Sequence, residues 1–236
     1  MNGNRMRHVL LLSAFGILLI AAGASFCEEG AKSVKVVCFG DSITYGYSAS
    51  DPAVTSYPAL LAKLLEAKDS AAAVKVVNAG ISGEDTRQGL KRLDSLLEKE
   101  KPGIVLVLYG TNDLWTSRKI SVDDTRVNLT EMITKMKSSG AVVLIGTLIP
   151  VWEDDKRVAA RNDVIKEVAK AAEITVVDLN AAFEKALTDA GGREKREAWE
   201  TIYAPEDGGF LHPNDKGNAL LAAAWHEALM KSRCIE

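Results

Sequence analysis

Two rhythms of apolar and polar positions alternate along this chain. Short runs that are apolar at nearly every position, at 34–39, 74–78, 104–109, 141–147 and 174–178, read as β-strands covered on both faces. Between them lie segments with apolar residues three and four apart, at 56–67, 86–99, 122–137, 158–172 and 181–190, which read as helices. A final amphipathic stretch, 215–232, sets Leu220, Leu221, Ala224, Trp225, Ala228 and Leu229 on one stripe. Strand and helix in steady alternation predict parallel strands joined by right-handed crossovers, and therefore a three-layer α/β/α sandwich. The stretch 191–209, rich in charge and glycine, is expected to be a long loop leading into the last helix. No repeat, low-complexity tract or linker interrupts 34–236, so those residues are expected to form a single domain.

The chemistry gathers at the turns that follow the strands. The first apolar run breaks off at Gly40-Asp41-Ser42, and open α/β sheets place their ligands at the carboxyl ends of their strands. Ser42 is therefore a candidate nucleophile, although taken alone it also reads as a helix N-cap. A nucleophilic hydroxyl needs a base, a group that orients the base and donors for the oxyanion. Histidine is the usual base near neutral pH, and the chain has three: His8 near the amino terminus, His226 beside Glu227 in the last helix, and His212. His226 reads as a solvated helix-face residue. His212 stands in Asp207-Gly208-Gly209-Phe210-Leu211-His212-Pro213-Asn214, just ahead of the last helix, where a loop can carry a base back to Ser42. Two further turns offer donors: the backbone N–H of Gly83 after the second strand, and the side-chain amide of Asn112 in Gly110-Thr111-Asn112-Asp113 after the third. Tyr45, Tyr47, Leu114, Trp115 and Trp152 follow strand ends and are candidates to line a substrate pocket, with packing in the core or at the rim as the competing reading.

Composition narrows the function classes. The 236 residues are 47% hydrophobic and 26% charged, enough apolar material for a sizeable core and far from a disordered composition. Arg5, Arg7 and His8 precede an uncharged run from Val9 to Ala24 that closes on small residues, the layout of a secretory signal peptide cleaved after Ala24. Residues 25–33 then form a short N-terminal segment, and the protein is expected to be secreted or periplasmic. An uncleaved membrane anchor is the alternative, for which the run is short against the ~20 residues of a spanning helix. Without residues 1–24 the chain keeps 27 Lys and Arg against 32 Asp and Glu, a charge of −5, unsuited to nucleic-acid phosphates. Three cysteines, Cys27, Cys38 and Cys234, show no metal-ligand spacing; Cys38 reads as a buried thiol, and Cys27 with Cys234 as a candidate disulfide.

Gly40-Asp41-Ser42, Gly83 in Ile81-Ser82-Gly83, Gly110-Thr111-Asn112-Asp113 and His212-Pro213-Asn214 follow in the order of the four blocks of the SGNH hydrolases, the GDSL esterases and lipases, and the chain resembles that family over about 34–230. The phrasing is most similar to the small bacterial group with acyl-CoA thioesterase, lysophospholipase and arylesterase activities. The resemblance implies a flavodoxin-like sheet of order 2-1-3-4-5 and cofactor-free, metal-free hydrolysis of a small or lipid-like ester or thioester through an acyl-enzyme, with a monomer expected. It implies Ser42 as nucleophile, His212 as general base and Asp207 as its orienting acid, with an oxyanion hole of the Ser42 and Gly83 N–H groups and the Asn112 amide. The family's acid usually stands three residues before the histidine, a place held here by Gly209, so Glu206, Asp215 and a Ser-His dyad held by a backbone carbonyl stay open. Asp215 otherwise reads as the N-cap of the last helix. A carbohydrate O-acetylesterase and a non-catalytic flavodoxin-like binding module are the alternative functions.

Overall fold

Five strands form one parallel sheet: β1 (Val34–Gly40), β2 (Val74–Gly80), β3 (Ile104–Leu108), β4 (Val142–Gly146) and β5 (Thr175–Val177), in the spatial order β2-β1-β3-β4-β5. Side chains of a strand point alternately to its two faces, and the core divides accordingly. Val36, Cys38, Ile104, Leu106 and Leu108 enter one hydrophobic cluster, while Val37, Phe39, Val105 and Val107 enter the other. Both faces of β1 and β3 are thus covered, which is why these runs are continuously apolar rather than alternating. The order matches the expected flavodoxin-like sheet.

The helices, in chain order, are α1 (Ser42–Tyr45), α2 (Pro52–Thr55), α3 (Tyr57–Glu66), α4 (Thr86–Glu100), α5 (Val122–Ser138), α6 (Asp155–Ala172), α7 (Leu179–Asp189), α8 (Arg196–Glu200) and α9 (Asp215–Lys231). Leu93 of α4, Leu129 and Met132 of α5 and Ile165 of α6 cover one face of the sheet. Tyr57 and Leu61 of α3, Phe183 of α7 and Trp225 of α9 cover the other. These coordinates are a computed structural model that describes residues 33–66, 74–205, 209–232 and 234–235, all within the compact unit Ala31–Glu236. The expected signal peptide and Cys27 lie outside the described residues, and so does any pairing of Cys27 with Cys234. Cys38 is fully buried in β1, and burial pushes its thiol up. No helix among the described residues is long and apolar enough to cross a membrane, and no cluster of metal-binding side chains occurs among them.

Three sequence expectations are corrected. Helix α6 begins at Asp155, three residues ahead of its apolar pattern, because Asp155, Lys156 and Arg157 form a polar first turn. The N-cap of α9 is Asn214, whose side chain accepts from the N–H groups of Lys216 and Gly217. Asp215 is instead the first helical residue and its carboxylate bonds elsewhere. The expected loop over 191–209 contains α8, which buries Ala198 and Trp199.

Trp199 joins an aromatic cluster with Trp152 (centroids 5.2 Å apart), Tyr203 (5.1 Å) and Phe210 (5.8 Å), and its indole N–H donates to the Arg193 carbonyl at 2.7 Å. This cluster lies under the segment that carries His212. Trp199→Ala is expected to lower the unfolding free energy by about 3–5 kcal/mol, the usual cost of emptying a large aromatic site. Chemical denaturation measures it, and a change below about 0.5 kcal/mol, typical of a surface substitution, would refute the buried role.

Candidate active site

Ser42 opens α1 immediately after β1. Asp41 caps that helix, its Oδ1 accepting the Ile43 N–H at 3.0 Å, and α1 stops after one turn at Gly46, whose φ of 87° is left-handed. As the first helical residue, Ser42 keeps a backbone N–H with no intrahelical acceptor. Asp41 is wholly buried, and burial, with smaller contributions from the charges of Asp113 and Glu84, raises its carboxyl to about 7.

His212 reaches Ser42 from the far end of the chain. Tyr203 and Pro213 form an antiparallel bridge, in which Ala204 donates to the His212 carbonyl at 3.0 Å and Asn214 to the Ile202 carbonyl at 3.1 Å. Asn218 of α9 ties this segment to α3, donating to the Pro213 carbonyl at 3.0 Å and accepting the Tyr57 N–H at 2.9 Å. Tyr57 in turn shares a 3.0 Å hydroxyl contact with Thr44 of α1. So held, His212 Nε2 lies 2.8 Å from Ser42 Oγ. The Tyr47 ring leans on the imidazole with centroids 4.7 Å apart. Asp207 falls, with Glu206 and Gly208, outside the described residues. His226, expected to be solvated, is half-buried on α9.

The two donor turns meet each other. Gly83 has φ 81°, a conformation open to glycine and strained for other residues. Asn112 begins a single 3-10 turn after β3, is 7% exposed, and donates one amide hydrogen to the Glu84 carbonyl at 2.9 Å. Arg118 donates to the Gly83 carbonyl at 2.9 Å, closing the same turn from the other side. Asp113, the neighbour of Asn112, is buried and accepts from the Thr86 N–H and from the hydroxyls of Thr86 and Thr125. Burial raises its carboxyl despite those bonds.

The candidate pocket residues divide. Tyr45 is 47% exposed one helical turn along from Ser42 and lines a hollow of about 510 Å³ with Pro58, Ala59, Val76 and Gly80. Trp115 is half-buried with the Arg157 guanidinium 6.0 Å above its ring. Leu114 is corrected: at 2% exposure it belongs to the core on the α4–α6 side and has no surface with which to line a pocket. Trp152 packs edge-on against Trp199 and Phe210 in the aromatic cluster described above. Glu84, whose carbonyl fixes Asn112, is not singled out by the sequence, where it looks like any acid ahead of a helix.

The sequence profile of the GDSL-like lipase/acylhydrolase family matches residues 38–220. The chain belongs to that family. Among its GDSL relatives, an arylesterase of Vibrio mimicus is 37% identical over 139 residues, which span 57% of this chain and 66% of the arylesterase. The esterase TesA of Pseudomonas aeruginosa is 33% identical over 175 residues, 73% of this chain and 80% of that protein. The crystal structure of a lipase/acylhydrolase from Enterococcus faecalis superposes with a TM-score of 0.69 at 31% identity, covering 84% of this chain and 96% of that one. GDSL membership with esterase-named relatives supports carboxylic-ester hydrolysis as the reaction class.

Proposed function

We propose that the chain hydrolyses a small or lipid-like carboxylic ester or thioester through an acyl-enzyme on Ser42. The observation that carries the reading is the 2.8 Å contact between Ser42 Oγ and His212 Nε2, within the range at which an imidazole takes a hydroxyl proton. His212 accepts the Ser42 proton as Oγ attacks the acyl carbon, then passes it to the leaving group. Water enters by the reverse route and frees the acid. Asp207 orients the imidazole. The Ser42 N–H, the Gly83 N–H and the Asn112 amide receive the tetrahedral oxyanion, and preorganised donors of this kind are effective because they need not reorient when charge develops. Tyr45 and Trp115 flank the substrate. Export through the leader at 1–24 fits a substrate outside the cytoplasm; the amino-terminal sequence of the protein recovered from the cell envelope or medium tests it.

Labelling by a fluorophosphonate, which modifies only an activated serine, tests the reading directly, and failure to label would oppose it. Asn112→Ala tests the oxyanion assignment. The expected result is a 100- to 1,000-fold fall in kcat, about 2.7–4 kcal/mol, with the melting temperature nearly unchanged. A residue that only shapes its turn gives the reverse, lost stability with near-normal turnover. Turnover of p-nitrophenyl esters of graded chain length, acetylated sugars and a lysophospholipid ranks the substrate classes.

A further inference from the structure

Beneath the proposed oxyanion hole lies a polar network that takes no part in the chemistry described above. Arg92 of α4 runs along the Phe39 ring, its guanidinium carbon 4.5 Å from the centroid. Its Nε donates to Glu84 Oε2 at 2.7 Å. Its Nη2 donates to the Ala79 carbonyl at 2.7 Å, to the Tyr109 hydroxyl at 2.6 Å and, more weakly, to the Gly40 carbonyl at 3.3 Å. The Tyr109 hydroxyl donates onward to the same Glu84 oxygen at 2.6 Å. Room for that phenol is made by Gly89, where a Cβ would lie 2.7 Å from the Tyr109 ring.

The acceptors are not scattered. Gly40 ends β1 two residues before Ser42, Ala79 lies in β2 four residues before Gly83, Tyr109 stands three residues before Asn112, and Glu84 directly follows Gly83. Glu84 is also the residue whose carbonyl takes one Asn112 amide hydrogen. One planar cation therefore ties together the bases of all three donor turns. Its rigid fork of N–H groups suits that task better than a single ammonium.

We infer that Arg92 is a positioning residue that, with Glu84 and Tyr109, holds the Ser42 N–H, the Gly83 N–H and the Asn112 amide in register for the oxyanion. The inference rests on the acyl-enzyme reading of Ser42. The network acts on the geometry of the donors and touches no substrate, so it governs the stability of the tetrahedral intermediate more than ground-state binding.

The test compares Arg92→Met, Arg92→Lys and Tyr109→Phe, each in the wild-type and in the Asn112→Ala background, with kcat and KM measured on one p-nitrophenyl ester. Arg92→Met is expected to lower kcat about 100-fold, the cost of misplacing a catalytic group by roughly 1 Å, with KM changed less than about twofold. Arg92→Lys should restore little of it, because the charge returns without the fork. In the Asn112→Ala background the same substitution should cost less than about 10-fold, since residues acting through one another are not additive. An equal loss in both backgrounds, full rescue by lysine, a change confined to KM, or a kcat within about twofold of wild type would each overturn the inference. Should Arg92→Met fail to fold, Tyr109→Phe removes a single hydroxyl and carries the test, with a smaller kcat loss expected that shrinks in the Asn112→Ala background and an equal loss in both overturning it. Failure of the underlying reading is separate: it would appear as turnover retained by Ser42→Ala, whatever Arg92 does.

Discussion

Ser42→Ala is expected to remove esterase turnover and phosphonate labelling together, with the fold intact. The hydroxyl is the only protein group in the proposed route that forms a bond to the acyl carbon, and without it no acyl-enzyme forms. Loss of such a nucleophile lowers kcat by about 10⁴- to 10⁶-fold, the residual rate coming from the oxyanion donors and binding alone. The Ser42 hydroxyl meets His212 Nε2 at 2.8 Å, and removing one small hydroxyl leaves the apolar core unchanged, so the melting temperature should shift little. The assay is turnover of a p-nitrophenyl ester beside a fluorescent phosphonate gel and a thermal melt. A variant keeping more than a few per cent of wild-type turnover would end the serine-hydrolase reading.

Asp207→Asn is expected to be the second large effect, and it tests which carboxylate serves His212. A carboxylate on the far imidazole nitrogen fixes the tautomer that can accept the serine proton and stabilises the imidazolium; the amide that replaces it favours the wrong tautomer, at a cost of up to about 10,000-fold. The structure weighs against one competitor. Asp215 takes the Ser50 N–H at 2.8 Å, the Ser50 hydroxyl at 2.6 Å and the Thr55 hydroxyl at 2.9 Å. Those bonds, the Ser50 ones first, hold its carboxyl below the ordinary range. Asp215→Asn should therefore loosen the Ser50–Thr55 turn and leave kcat within a few-fold. The comparison runs Asp207→Asn beside Glu206→Gln and Asp215→Asn. Near-normal activity in Asp207→Asn refutes its role, and a large loss in either of the others relocates the acid.

The fold was legible in the sequence wherever burial was uniform. Runs such as Val36–Phe39 and Ile104–Leu108 are apolar because both faces of a central parallel strand are covered, and that demand leaves a pattern visible without coordinates. Helix starts were less legible. The polar first turn of α6 carries no apolar period, and Asn214 and Asp215 are equally good caps on paper. Helix α8 escaped because five residues are too few to show a period, and its stability comes from Trp199 reaching Trp152 and Phe210, neither of them local.

By itself, the sequence determined the strand order's raw material, the parallel sandwich and the turns at which Ser42, Gly83, Asn112 and His212 stand, since each depends on hydrophobic period or on a residue type at a strand end. Tertiary structure alone decided the distances and the partners. It brought His212 to 2.8 Å from a serine 170 positions away, sent Leu114 into the core, turned Asp215 toward Ser50, and placed Arg92 under three turns at once. A local pattern records which face of an element is buried. It does not record which distant backbone carbonyl a long side chain will meet, because that depends on how separate elements stack.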